Sequence, residues 1–158
     1  MVEGARRAVH LFKFEGWWRL ADSLARPMVA LEPLTDRLLL IPVPLGPRRR
    51  RRRGYNQSER LARALGRLSG LPVADRLVRI RDTRSQSSLA PEARQANVRG
   101  VFRAAGVRGR RVVLVDDVFT TGATLVAAAE AARIAGAERV EAVTFARAAG
   151  PLGPRGIR

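Results

Sequence analysis

Cysteine is absent from this 158-residue chain, and histidine occurs once, as His10. Disulfide bonds, thiol nucleophiles and Cys-ligated zinc are therefore excluded, and one histidine does not make a cluster of His metal ligands. The chain also has no apolar run near the roughly 20 residues that a membrane-spanning helix needs, and its N-terminus has no signal-peptide pattern. From its length and these absences we expect one soluble, cytoplasmic domain with a sizeable core and no membrane partner.

Lysine is nearly absent as well. Lys13 is its single occurrence, so arginine supplies almost all of the formal net charge of +16. A field this positive attracts polyanions such as nucleic acids, phosphates and pyrophosphate. An arginine-rich composition without cysteine also fits biased codon usage or growth at high temperature. The charge leaves both interpretations open, including for its densest part, the six consecutive arginines at residues 48–53.

Hydrophobic patterning predicts strands and helices in alternation. An N-terminal helical pattern is broken by Pro27 and Pro33, and a proline-rich loop carries residues 48–53. Asn56 and Glu59 have capping-box spacing, which predicts a helix that closes at Gly70. The predicted buried face of this helix is Leu61, Leu65 and Leu68. A second helix is predicted over residues 122–137. The predicted strands are residues 38–43, 76–80, 110–117 and 139–146. Continuous apolar strands alternating with helices predict an α/β fold with a mostly parallel central sheet.

The most informative segment is VVLVDDVFTTGAT, residues 112–124. Ligands of open parallel sheets bind beyond the carboxyl ends of the strands, where Asp116 and Asp117 fall. The following loop enters a helix N-terminus, whose free N–H groups favour an anion. Its threonines add hydroxyl donors, although the chain has no Walker A pattern. Paired carboxylates repel phosphate but accept hydrogen bonds from vicinal hydroxyls, so the segment predicts a sugar-phosphate site.

This segment resembles the phosphoribosyl-pyrophosphate (PRPP) binding motif of type I phosphoribosyltransferases. The resemblance implies that Asp116 and Asp117 contact the ribose hydroxyls. It also implies a 5′-phosphate loop made of Thr120, Thr121, Gly122, Ala123 and Thr124. The fold implied is the type I phosphoribosyltransferase fold, a mostly parallel sheet flanked by helices with a small N-terminal hood.

Two further segments are similar to signatures of the ComF (competence protein) group of that superfamily. The first, residues 41–62, carries Pro42, Pro44, Arg53, Gly54, Tyr55, Asn56 and Gln57. The second, residues 81–102, carries Arg81, Thr83, Gln86, Leu89, Arg94 and Asn97. Many members also have a Cys-rich zinc-binding N-terminal segment. The resemblance does not extend to it, because this chain has no cysteine.

The resemblance assigns expected roles to these segments. The pyrophosphate loop is Val43, Pro44, Leu45 and Gly46 with Arg53 beyond it, and the flexible loop over PRPP includes Arg81, Thr83, Gln86, Arg94 and Asn97. Magnesium is expected to arrive with PRPP, with Asp116 and Asp117 as candidate contacts. One domain over residues 1–150 would comprise a hood at 1–35 and a core at 36–150, followed by a tail at 151–158.

The activity implied is that of a glycosyltransferase that displaces pyrophosphate from C1 of PRPP with a nitrogen nucleophile. The alternative is a PRPP sensor without catalysis, or a single-stranded DNA-handling protein linked to competence. Residues 48–52 fit either solvated charge or a nucleic-acid contact. The acceptor stays open, and so does the oligomeric state, for which a homodimer is the commonest arrangement.

Overall fold

A parallel sheet with helices on both faces forms the centre of the molecule. The computed structural model describes residues 21–31, 38–81 and 98–147. In chain order its elements are α1 (Ala21–Leu31), β1 (Leu38–Pro42), α2 (Pro47–Arg53), α3 (Gln57–Ser69), β2 (Leu77–Arg79), β3 (Phe102–Ala104), β4 (Arg111–Phe119), α4 (Ala123–Ile134) and β5 (Arg139–Arg147). The predicted α/β class is confirmed.

The main sheet has three strands in the order β1-β4-β5, all parallel. Val73 adds a single parallel bridge beside Leu40, whose N–H donates to the Pro72 carbonyl and whose carbonyl accepts from Ala74, both at 3.0 Å. Because β1 and β4 are parallel neighbours, the segments that follow these two strands lie at the same edge of the sheet.

The second predicted strand forms, but outside the parallel sheet. β2 pairs antiparallel with β3, a strand that the sequence pattern did not predict. The physical reason is exposure, since Val78 and Ile80 are 53% and 52% exposed while Leu77 is buried. Such alternation is typical of an antiparallel pair with one face in solvent, whereas parallel strands are buried on both faces.

Alternate residues of the sheet pack into two hydrophobic layers. On one face, Leu39 and Ile41 of β1 join Val112 and Leu114 of β4 under the alanine-rich helix α4. On the other face, the remaining β1 and β4 side chains pack against α1 and α3, with the members Leu38, Leu40, Val113, Val115, Leu24, Met28, Leu61 and Leu65. This two-sided burial makes the β1 and β4 sequences continuously apolar.

Helix α2 corrects the prediction that residues 48–53 lie in a loop. Gly46 is the N-cap of α2 and has an extended backbone. Pro47 occupies the first turn, where a backbone N–H has no acceptor within the helix, so the N–H that proline lacks costs no hydrogen bond. Gly54 ends the helix in the left-handed conformation (φ 78°), and its N–H donates to the Arg50 carbonyl at 2.8 Å. Arginine is itself a good helix former, so a run of arginines between these two signals continues as helix.

Two predictions about the other helices also need correction. Pro27 lies inside α1 and does not end it. In α3, Leu61 and Leu65 are fully buried as predicted, but Leu68 is 40% exposed. Gln57, Ser58, Ala62 and Ala64 are buried in its place. α1 falls within the predicted hood, residues 1–35, and the predicted tail lies outside the described residues. No helix in the described ranges is both long and apolar enough to cross a membrane.

Candidate functional site

The acidic pair lies within β4, two residues before its end. The prediction that the strand ends at the carboxylates is wrong, because Val118 and Phe119 continue the pairing with β5. Asp117 is buried, with 8% of its surface exposed, and Asp116 is partly buried. One oxygen of Asp116, Oδ1, accepts hydrogen bonds from the Ser58 hydroxyl at 2.8 Å and from the Asp117 N–H at 2.9 Å. Two donors on one oxygen fix the orientation of this carboxylate.

The loop after β4 turns directly into α4, as predicted. Gly122 is the N-cap of α4 and has a left-handed backbone (φ 78°). A Cβ atom at this position would lie 2.9 Å from the Phe119 ring, so both the backbone angle and the space require glycine. Thr120 and Thr121 are exposed beside it. The exposed threonine hydroxyls and the first N–H groups of α4 are therefore presented together.

The loop after β1, which contains Val43, Pro44, Leu45 and Gly46, is anchored beside the acidic pair. The Val43 N–H donates to the Val115 carbonyl of β4 at 3.0 Å. The Val43 carbonyl accepts from Nδ2 of the buried Asn56 at 3.1 Å. Val115 directly precedes Asp116, so these bonds hold the predicted pyrophosphate loop next to the predicted ribose-binding acids.

Arg53 is the last residue of α2 and is partly buried. Burial lowers the pKa of its guanidinium, and Asp117 opposes that effect, while Arg49 and Arg52 lower the pKa further. Asp117 lies within electrostatic range of Arg53, although the two residues are far apart in the chain. Arg53 and Asp117 therefore interact in the folded chain, and the predicted role of Arg53 toward pyrophosphate stays a prediction.

The other arginines of α2 face different surroundings. Arg48, Arg50, Arg51 and Arg52 are exposed, and Arg49 is partly buried. Arg50 forms a long ion pair with Glu59 of α3, with 3.7 Å between Nη2 and Oε2. Arg53 is therefore distinct from the exposed part of the run.

Of the predicted flexible loop, only Arg81 lies in the described residues. Its Nη2 donates to the Arg99 carbonyl at 2.6 Å, which ties the two ends of residues 81–99 together. Thr83, Gln86, Arg94 and Asn97 lie outside the described residues. Their predicted role over PRPP stays a prediction.

Ser58 is the site residue that sequence reasoning missed. Its hydroxyl reaches Asp116 from the first turn of α3, and its backbone N–H donates to the Asn56 side chain at 3.2 Å. No spacing rule links a serine to an aspartate 58 positions away. The available signal was its place inside the RGYNQSE segment, directly after Asn56 and Gln57.

The described residues contain no cluster of three or more His, Cys, Asp or Glu side chains that could enclose a metal ion. Asp116 and Asp117 are adjacent hard oxygen donors. Mg²⁺ prefers such donors and commonly completes its coordination with substrate phosphates and water. The residues present therefore fit a magnesium ion shared with a polyphosphate substrate.

Comparison with known proteins shows the family to which this chain belongs. The phosphoribosyl transferase domain family matches residues 51–155. Competence protein F of Haemophilus influenzae is 36% identical over 159 residues, which cover 93% of this chain and 69% of that protein. DNA utilization protein YhgH of Escherichia coli O157:H7 is 37% identical over 127 residues, which cover 74% of this chain and 56% of that protein.

A solved structure shares the fold. Glutamine phosphoribosylpyrophosphate (PRPP) amidotransferase from B. subtilis superposes with a TM-score of 0.54 and 25% identity, over 79% of this chain and 26% of that one. The family match, the similarity to competence protein F and the shared fold lead to one conclusion. This chain belongs to the phosphoribosyl transferase domain family, as a ComF-like member of the type I phosphoribosyltransferase superfamily.

Proposed function

We propose that this protein binds PRPP with Mg²⁺ and transfers its phosphoribosyl group to a nitrogen nucleophile, releasing pyrophosphate. The observation that carries the proposal is the 3.0 Å bond from the Val43 N–H to the Val115 carbonyl. It holds the loop after β1 beside the acidic pair of β4, and α4 begins at Ala123, six residues after Asp117. PRPP carries a diphosphate, two vicinal hydroxyls and a 5′-phosphate. In this proposal they bind at the loop after β1, at the acidic pair and at the start of α4, respectively.

The 5′-phosphate is proposed to bind at the start of α4. The N–H groups of the first turn have no partner within the helix and carry partial positive charge, so an anion is stabilised there. The exposed hydroxyls of Thr120 and Thr121, and Thr124 in the first turn, add donors. Gly122 lets the loop turn into α4, because its left-handed backbone and the nearby Phe119 ring leave no room for a Cβ.

The ribose hydroxyls are proposed to donate to Asp116 and Asp117. The reaction breaks the bond from C1 to the pyrophosphate oxygen, which departs with the electron pair, and forms a C1–N bond. Positive charge develops on the sugar ring in the transition state. Fixed carboxylates nearby stabilise that charge without reorganising, as pre-oriented groups do in general.

Arg53 is proposed to bind the departing pyrophosphate. A guanidinium presents paired N–H donors that match phosphate oxygens, and burial makes its charge interact more strongly than at the surface. When bound with PRPP, Mg²⁺ supplies further charge neutralisation of pyrophosphate, with Asp116 and Asp117 as its protein-side oxygen donors. The protein's task is to hold the reacting groups in line and to exclude water.

Calorimetry with Mg²⁺ and PRPP tests the binding step. We expect wild type to bind and the double variant Asp116→Asn, Asp117→Asn to lose most of its affinity. The matched control is Glu130→Gln, Glu138→Gln, which removes the same charge at exposed positions of α4 and the turn before β5. No binding by wild type, or equal binding by wild type and the aspartate variant, overturns the proposal.

Pyrophosphate release then tests turnover and identifies the acceptor class. Wild type is incubated with Mg²⁺ and PRPP together with a panel of nucleobases, amines and ammonia. We expect one class of nitrogen nucleophile to raise the rate of pyrophosphate release above the rate in water. Binding of PRPP without release for any acceptor would favour a sensor over an enzyme.

A second candidate function is single-stranded DNA handling, with the PRPP site as a sensor. The observation that favours it is α2, on which Arg48, Arg51 and Arg52 are all exposed. Contacts to phosphates release counterions, so affinity for a single strand falls with salt, with a slope of about −0.7 per phosphate contact. The names of two relatives, a competence protein and a DNA utilization protein, are consistent with this candidate.

A salt titration with a single-stranded oligonucleotide tests this second candidate. Substituting Arg48, Arg51 and Arg52 with glutamine is expected to weaken binding and make the slope shallower by about 2. The matched control removes the same charge from exposed positions elsewhere, Arg103, Arg108 and Arg110. Salt-independent binding, or equal losses in both triple variants, would count against a contact through α2.

A further inference from the structure

The hydroxyl of Ser58 in α3 is directed at Asp116 of β4, a proposed ribose-binding acid. Ser58 lies in the first turn of α3 with 2% of its surface exposed. Its Oγ donates to Oδ1 of Asp116 at 2.8 Å, a normal length for a hydroxyl bonded to a carboxylate oxygen. A buried hydroxyl that lacks such a partner destabilises the fold. The packing of α3 against β4 therefore depends partly on this contact.

The hydrogen bond restricts how Asp116 can turn. The last torsion of an aspartate side chain is broad, with no strong preference of its own. Here the Ser58 hydroxyl and the Asp117 N–H, at 2.9 Å, both donate to Oδ1. Without the hydroxyl, Oδ1 loses one of these two donors, and the carboxylate samples a wider range of angles. Orientation matters because a bidentate contact to two vicinal hydroxyls requires a defined carboxylate plane.

Ser58 is itself held by the residue that anchors the loop after β1. The side chain of Asn56 accepts from the Ser58 N–H at 3.2 Å through Oδ1, and donates to the Val43 carbonyl at 3.1 Å through Nδ2. Hydrogen bonds therefore run from Val43 through Asn56 and Ser58 to Asp116. The positions of the proposed pyrophosphate loop and of the proposed ribose acid are set by one connected group of side chains.

The geometry points to Ser58 as a positioning residue that holds Asp116 in the orientation that binds the ribose hydroxyls of PRPP. This inference rests on the proposed function. Ser58 acts through Asp116, to which its hydroxyl donates. Its loss is therefore expected to affect ligands that carry the ribose and to spare ligands that carry pyrophosphate alone.

Calorimetry of Ser58→Ala with two probes separates these effects. For Mg²⁺ with PRPP we expect about a 10-fold loss of affinity, the size of one charge-assisted hydrogen bond. For Mg²⁺ with inorganic pyrophosphate we expect a change of less than about 2-fold. Ser58→Thr keeps the hydroxyl and should restore PRPP affinity to within about 3-fold of wild type.

Ser69→Ala is the matched control. Ser69 ends the same helix, and its hydroxyl also makes a hydrogen bond, to the Leu65 carbonyl at 2.7 Å, but at the end away from Asp116. We expect it to leave PRPP affinity unchanged. Should Ser58→Ala not fold, Ser58→Cys takes its place, since a thiol fills nearly the same volume and is a weak donor.

The outcomes distinguish this inference from the function on which it rests. If wild type does not bind PRPP, the proposed function fails and the role of Ser58 with it. If wild type binds and a Ser58 variant keeps full PRPP affinity, the inference fails while the proposed function stands. Equal losses for PRPP and pyrophosphate would show that Ser58 merely supports the local fold, and would also overturn the inference.

Discussion

Asn56→Ala is expected to lower the free energy of unfolding by about 2–4 kcal/mol, because one buried side chain makes two structural hydrogen bonds. Asn56 is 4% exposed. Its Oδ1 caps α3 by accepting from the Ser58 N–H, and its Nδ2 donates to the Val43 carbonyl at 3.1 Å. Alanine removes both.

The magnitude follows from the two contacts. Loss of an N-cap costs about 1 kcal/mol. Loss of the donor to Val43 leaves a buried carbonyl without that bond, which costs about 1–3 kcal/mol more. With a urea slope of about 2 kcal/mol/M, within the range usual for small domains, the sum lowers the unfolding midpoint by about 1–2 M.

The assay is equilibrium unfolding in urea followed by far-ultraviolet circular dichroism. Asn56→Ser separates the two contacts, since serine is also a good N-cap but is too short to replace the amide bond to Val43. We expect about half to two-thirds of the alanine loss. Arg63→Ala is the control, because it removes an exposed ion pair to Glu59 worth less than about 0.5 kcal/mol.

A loss for Asn56→Ala no larger than that for Arg63→Ala would refute the reasoning. It would mean that the loop after β1 is held by its bond to Val115 alone. If Asn56→Ser unfolds at the wild-type urea concentration, the amide bond to Val43 contributes nothing, and the cap accounts for the whole effect.

Three other substitutions or titrations have definite expected results. Gly122→Ala should destabilise the fold by at least about 1 kcal/mol, since alanine is strained at φ 78° and its Cβ meets the Phe119 ring at 2.9 Å; a wild-type melting temperature would contradict this. Burial raises the pKa of Tyr55, and the neighbouring arginines oppose this effect. Because Tyr55 is the only tyrosine in the sequence, phenolate absorbance should rise at higher pH in the folded than in the urea-unfolded protein. With a raised folded pKa, the stability due to Tyr55 is full below the unfolded pKa and is lost as pH rises through the folded one, and Tyr55→Phe should abolish that loss. Leu61→Ala should cost about 2–5 kcal/mol because Leu61 is fully buried, whereas Leu68→Ala, at a position 40% exposed, should cost less than about 1 kcal/mol by urea unfolding.

Much of the fold follows from local pattern. The run VVLV in β4 and the alanine-rich α4 were predicted within a few residues, since apolar runs and capping signals act over short distances. The arginine helix shows where the prediction of local structure failed. Gly46, Pro47 and Gly54 are all visible in the sequence, and they mark the start and the end of a seven-residue helix.

The candidate site divides in the same way. Asp116, Asp117 and the loop that follows them were identified from one contiguous segment, because the spacing of their residue types can be read directly along the chain. The contact of Ser58 with Asp116 and the electrostatic interaction of Arg53 with Asp117 join segments far apart in the chain. Residue spacing alone has no rule for such pairs. The resemblance to a family signature pointed to Arg53 and not to Ser58.

The sequence by itself determined the strands β1 and β4, the helix α4, the loop that leads into it and the capped start of α3, because each depends on residues within one or two turns of one another. Only the tertiary structure decided that β2 pairs antiparallel with β3, that Leu68 faces solvent, and that Ser58 contacts Asp116. These outcomes depend on how whole elements pack against the sheet. Burial and hydrogen bonding between distant segments depend on the tertiary packing. The pattern of residues along one segment does not specify which other segment it will contact.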